Sequence, residues 1–105
     1  MKELNDNNFK EHMKDTKLVL VDFYATWCAP CSMQSKVLEN IKKSRAINFE
    51  IVKVNVDESP NLAIEYNIDS IPTLMVFKEN KLGKRLVGYT SEEEIISIME
   101  EFEQV

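Results

Sequence analysis

Asp22-Phe23-Tyr24-Ala25-Thr26-Trp27-Cys28-Ala29-Pro30-Cys31 decides how this chain is read. The segment closes a run of strand-forming residues, carries both cysteines of the protein and leads into a helical pattern. Two thiols separated by two residues are close enough to close a small disulfide ring. Pro30 suits the first turn of a helix, where its missing N–H would have had no partner. That puts Cys28 at the helix N-terminus. Unpaired backbone N–H groups and the positive end of the helix dipole favour a thiolate there, so Cys28 is the attacking sulfur and Cys31 the resolving one.

Working outward, Leu18-Val19-Leu20-Val21-Asp22-Phe23-Tyr24 is apolar at every position but one, the pattern of a strand buried on both faces. Asp22 is the anomaly. A lone carboxylate in such a strand is costly to keep ionised, so its pKa should rise until it can hold a proton near neutrality. It precedes Cys28 by six residues and can lie beneath the helix start, placed to take the proton that Cys31 must lose before it attacks a mixed disulfide. Beyond Cys31 the helix continues with Met33, Val37, Leu38 and Ile41 as its apolar stripe and ends around Ser44-Arg45.

Length and composition bound the rest. With 105 residues and 44% hydrophobic content, the chain suits one compact domain, residues 1–105, that buries a core without disulfide staples. Met1 to Asp6 lacks an apolar signal core, and no window approaches the roughly 18 apolar residues of a membrane span. A cytoplasmic protein is the expectation, and in that reducing compartment a close cysteine pair is catalytic or metal-binding rather than structural. The net charge of −5 argues against nucleic acid or an anionic membrane as partner.

Taken in order, Lys2-Glu3-Leu4 reads as a short first strand, and Asn5 or Asp6 as the cap of a helix that turns Phe9 and Met13 inward. His12 on that helix reads as a surface or half-packed residue. Ile51 to Val56 alternates, with Val52, Val54 and Val56 on one side. Asn61 to Tyr66 gives a short helix with Leu62, Ala63 and Tyr66 inward. Pro72 cannot donate to a sheet, so it must begin the Leu74-Met75-Val76-Phe77 strand or stand at an edge. Asn80 tolerates positive φ in the turn before an edge strand, Lys84 to Val87, and Gly88 lets a backbone approach closely. Thr90 or Ser91 caps a last helix with buried stripe Ile95, Ile98, Met99 and Phe102, its six glutamates forming a solvated face.

Trp27-Cys28-Ala29-Pro30-Cys31 behind an Asp-Phe-Tyr-Ala strand end resembles the active site of the thioredoxin family, and the resemblance extends over nearly the whole chain. It implies an α/β thioredoxin fold, a central mixed β-sheet flanked by helices on both faces. It also implies that Lys53 faces the buried Asp22 and that Tyr66 to Thr73 is a cis-proline loop packed beside the cysteines. By the same resemblance Pro72 is cis, the Ile71 backbone hydrogen-bonds an extended substrate segment, and Gly88 lines the substrate surface with Trp27. Two departures fall in the helix: Ser32 stands where many members carry a basic residue, and Lys36 replaces a proline that commonly kinks it.

Other uses of the cysteine pair fit poorly. A structural zinc site takes four Cys or His ligands, and beyond the pair the chain offers only His12. Iron–sulfur ligation would need two chains to share a cluster. Covalent haem wants a histidine where Ser32 stands. A purely structural disulfide across four residues would stabilise by only about 1.9 kcal/mol. The expectation is a protein-disulfide reductase in which Cys28 attacks, Cys31 resolves and Asp22 manages the proton. Trp27, Ala29, Pro30, Ile71, Pro72 and Gly88 would form a flat contact surface. No metal or prosthetic group is implied. The expected partners are a thioredoxin reductase and disulfide-containing protein substrates, met by a monomer. The alternative is a redox-silent binding subunit using the same surface.

Overall fold

In a computed structural model that describes residues 1–104, five strands form one sheet in the order β1-β3-β2-β4-β5. The strands are β1 (Lys2–Leu4), β2 (Leu18–Tyr24), β3 (Glu50–Asn55), β4 (Thr73–Lys78) and β5 (Lys81–Val87). Between and after them lie α1 (Phe9–Lys14), α2 (Ala29–Ser44), α3 (Pro60–Glu65) and α4 (Glu92–Glu103). β1, β3 and β2 run parallel, while β4 is antiparallel to β2 and β5 to β4, so the sheet is mixed.

β2 takes the centre because its apolar residues demand cover on both faces. Val19, Val21 and Phe23 pack with Phe9 of α1, Met13 of α1 and Leu62 of α3. Leu18 and Leu20 pack on the other face with Leu38 and Ile41 of α2 and Ile95, Ile98 and Met99 of α4. Strand alternation sends Asp22 to the same side as Leu20, towards α2. Tyr66 closes the first core edge-on against Phe9 and Phe77, with ring centres 5.8 and 5.6 Å apart.

The β4–β5 hairpin turns through Glu79 and Asn80, both at positive φ (50° and 64°), the backbone that matches strand twist in a two-residue loop. β5 begins at Lys81, three residues before the expected start, because the tight turn lets pairing begin at Lys78 opposite Lys81. Ser91 caps α4, its hydroxyl accepting the Glu94 N–H at 3.2 Å.

Two expectations are corrected. Met33 is 56% exposed and does not belong to the buried stripe of α2, whose inward positions are Cys31, Gln34, Leu38 and Ile41. At about 100° per residue, Met33 stands on the far side of the helix from Cys31. Neither Asn5 nor Asp6 caps α1, which begins after Asn8 without a side-chain cap. Asn5 instead closes a local turn through its side-chain oxygen, which accepts from the N–H groups of Asn7 and Asn8. Asp6 crosses to α3, where its carboxylate accepts the Asn61 and Leu62 N–H groups at 3.2 and 2.9 Å.

Candidate active site

The chain leaves β2 at Tyr24, turns through Ala25 and Trp27, and enters α2 with Cys28 as its N-cap. Cys28 adopts extended backbone (φ −98°, ψ 112°), as an N-cap residue must, and Pro30 occupies the first turn. Cys28 and Cys31 form a disulfide with their Cα atoms 5.2 Å apart. The Cys31 N–H donates to the Cys28 sulfur at 3.2 Å. No acidic residue lies in the first turn of α2, so nothing there offsets the positive end of its dipole. Both cysteines are buried, with Ala25 beside them, whereas Ala29 and Pro30 are exposed.

The second wall is the loop before β4. The Ile71-Pro72 peptide bond is cis, and the Ile71 carbonyl oxygen lies 3.8 Å from the Cys28 sulfur. The Pro72 carbonyl accepts the Gly88 N–H at 2.8 Å. Gly88 holds φ +89°, a conformation that side-chain-bearing residues rarely adopt, so this approach of two loops depends on glycine.

Trp27 is 72% exposed beside the cysteines. Its indole N–H donates to an Asp57 carboxylate oxygen at 2.8 Å, which holds the ring against the β3–α3 loop. Asn55 shapes that loop, its side-chain oxygen accepting the Asp57 and Glu58 N–H groups at 2.9 and 3.3 Å.

Asp22 is 1% exposed, and among the described residues its Oδ1 has no hydrogen-bond partner. Loss of solvent pushes its pKa up to about 7, although the charge of Lys53 pulls part of the way back. Lys53 stands directly opposite Asp22 in the β2–β3 register. The expected contact between them is corrected in kind: no ion pair joins them among the described residues. Half-buried, Lys53 places its ammonium 5.3 Å from the centre of the Tyr24 ring. A long lysine stem lets the charge reach the wetter strand end, so it acts on Asp22 through space.

Sequence reasoning missed Gln34. This side chain is fully buried, its amide donating to the Thr90 carbonyl at 3.0 Å and accepting the Thr90 N–H at 2.7 Å. The available signal was a polar residue three positions after Cys31 on the inward phase of α2. Among the described residues no group of three or more His, Cys, Asp or Glu side chains gathers where it could hold a metal ion.

The arrangement is one that can exchange disulfides: a sulfur pair at a helix start, a titratable carboxylate in the adjoining strand and an exposed apolar rim. The thioredoxin family model matches residues 1–101. A thioredoxin from Alicyclobacillus acidocaldarius is 42% identical over 92 residues, covering 88% of each chain. One from Synechocystis is 41% identical over 101 residues, 95% of this chain and 94% of that one. A solved structure of a mutant thioredoxin from Halobacterium salinarum superposes with a TM-score of 0.87 at 28% identity, covering 96% of this chain and 88% of that one. The chain belongs to the thioredoxin family and is a thiol-disulfide oxidoreductase.

Proposed function

We propose that Cys28 and Cys31 reduce disulfides in protein substrates, with Asp22 managing the resolving proton and a thioredoxin reductase restoring the dithiol. The observation that carries this reading is the Cys31 N–H pointing at the Cys28 sulfur, 3.2 Å away, at the start of a helix whose own first turn carries no acidic residue. In the reduced protein that amide and the helix dipole stabilise negative charge on Cys28.

The thiolate of Cys28 attacks one sulfur of a substrate disulfide. A bond forms from Cys28 to that sulfur, the substrate's S–S bond breaks, and its other sulfur leaves as a thiolate. Cys31 passes its proton to Asp22 and attacks the Cys28 sulfur. The second substrate sulfur then leaves, carrying the electron pair of the mixed disulfide. Two electrons have moved to the substrate, and the protein holds the Cys28–Cys31 disulfide until the reductase returns two electrons and two protons. A carboxyl group with a pKa of about 7 suits this exchange, because neither protonation state is strongly disfavoured near neutrality. Lys53 tunes that carboxyl by its charge.

Trp27, Ala29, Pro30, Ile71 and Gly88 form the substrate-facing rim, and cis Pro72 shapes the loop whose Ile71 backbone pairs with an extended substrate segment. The exposure of Trp27 and the closeness of the Ile71 carbonyl to the Cys28 sulfur support this assignment. The described residues 1–104 work as one domain, as a monomer, in the cytoplasm and without metal or prosthetic group, and Val105, the last residue of the expected domain, lies outside the described residues. Nucleic acid and membrane are not its partners, a reading supported by the net charge of −5. Among the described residues no helix is long and apolar enough to cross a membrane.

Reduction of insulin disulfides, driven by a dithiol or by a reductase, tests the proposal. The protein should accelerate the reaction and Cys28→Ser should abolish it. Turnover that survives in Cys28→Ser, or a wild-type protein that binds partners without reducing them, would overturn it; the second outcome would mark a binding subunit.

A further inference from the structure

We infer that Gln34 is a positioning residue: its side-chain amide ties the Gly88–Thr90 loop to the helix that carries the cysteines, and so sets the shape of the protein-substrate rim. The inference rests on the rim assignment made above. An amide removed from water is costly unless both its donor and its acceptor find partners. Gln34 spends both on one residue, donating to the Thr90 carbonyl at 3.0 Å and accepting from the Thr90 N–H at 2.7 Å. Such a two-point pairing reproduces what a neighbouring strand would offer and leaves little freedom of rotation. A side chain needed only to fill the core would be apolar at this fully buried position.

The bonds close a circuit through the site. Gln34 lies three residues beyond Cys31 on α2 and holds Thr90. Two residues before Thr90, the Gly88 N–H is held by the Pro72 carbonyl. The neighbouring Ile71 carbonyl lies 3.8 Å from the Cys28 sulfur, which returns the path to the start of α2. Tyr89 sits between the two anchors, 48% exposed, next in sequence to Gly88 and two residues from Val87, which is 61% exposed. Cutting the Thr90 anchor frees Tyr89 to move while leaving the sulfur pair, Asp22 and the helix start in place. Recognition of a macromolecular disulfide should therefore suffer, and the sulfur chemistry itself should not.

Gln34→Met keeps the length of the side chain and removes both hydrogen bonds. Steady-state reduction should show KM for insulin raised about five-fold, with kcat within about two-fold of wild type. The rate with a small aromatic disulfide, dithiobis(nitrobenzoate), should likewise stay within about two-fold. An unchanged KM, or equal losses with insulin and the small disulfide, would overturn the inference. Should Gln34→Met fail to fold, deuterium exchange in the wild-type protein still decides: the Thr90 amide must exchange at least about tenfold more slowly than that of Tyr89, and equal rates refute the anchor. Trp27→Ala, which truncates the exposed rim residue, separates this inference from the assignment beneath it. If Trp27→Ala leaves the insulin KM unchanged, the rim is misplaced; if it raises KM while Gln34→Met does not, only the role of Gln34 fails.

Discussion

Asp22 and Lys53 stand opposite each other on neighbouring strands, yet no ion pair joins them, and one carboxylate oxygen of Asp22 remains without a partner among the described residues. The fold thus holds a carboxyl group in an apolar strand without neutralising it locally. Burial raises the folded pKa from 3.8 to about 7. A carboxyl whose pKa is raised by folding binds its proton more tightly in the native state. The native state is therefore favoured most below the unfolded value, and that advantage is lost as pH rises through the folded value. Stability should fall between about pH 4 and pH 7 and level off above, by on the order of 4 kcal/mol. Denaturant titrations across that range check the slope, and Asp22→Leu should flatten it and raise stability at pH 8.

Removing the lysine charge should move the titration. Lys53 lowers the pKa of Asp22, so Lys53→Met should shift it upward, away from about 7. Carbon-detected NMR of the Asp22 carboxyl follows this directly. An unmoved midpoint would mean that solvent screens the lysine completely.

Cys31→Ser should trap protein substrates on Cys28, because the mixed disulfide loses the thiol that resolves it. Mass spectrometry of adducts formed in lysate checks this. An active dithiol form with no adducts in the variant would show that attacker and resolver are reversed.

Asp6 accepts two N–H groups from the start of α3, 55 and 56 residues away in sequence. Asp6→Ala should cost about 1 kcal/mol, typical of a lost N-cap. It should leave insulin reduction near the wild-type rate. Guanidinium unfolding at pH 7 measures the first expectation and the insulin assay the second.

Much of the architecture was legible because it depends on short-range regularities. The apolar run Leu18–Tyr24 marks the central strand, the alternation of Val52 and Val54 marks β3, and the spacing of Ile95, Ile98 and Met99 marks the inner stripe of α4. Cys28, Pro30 and Cys31 announce a helix start carrying two sulfurs because capping and proline geometry act within one turn. The phase of α2 was harder. Met33 is apolar and Gln34 is polar, so hydropathy favoured the wrong one, and only the partner waiting at Thr90 makes a buried amide acceptable.

By itself, then, the sequence determined which segments are strands and helices, that two thiols meet at a helix tip, and that an acid lies within an apolar strand. Backbone preference and hydrophobic period settle those matters locally. Tertiary structure alone decided what faces what among the polar side chains: Asp57 under the Trp27 indole, Asp6 on α3 and Thr90 on Gln34. Each of those relations joins residues at least 30 positions apart, and a polar side chain chooses among distant partners only after the sheet has brought their backbones together.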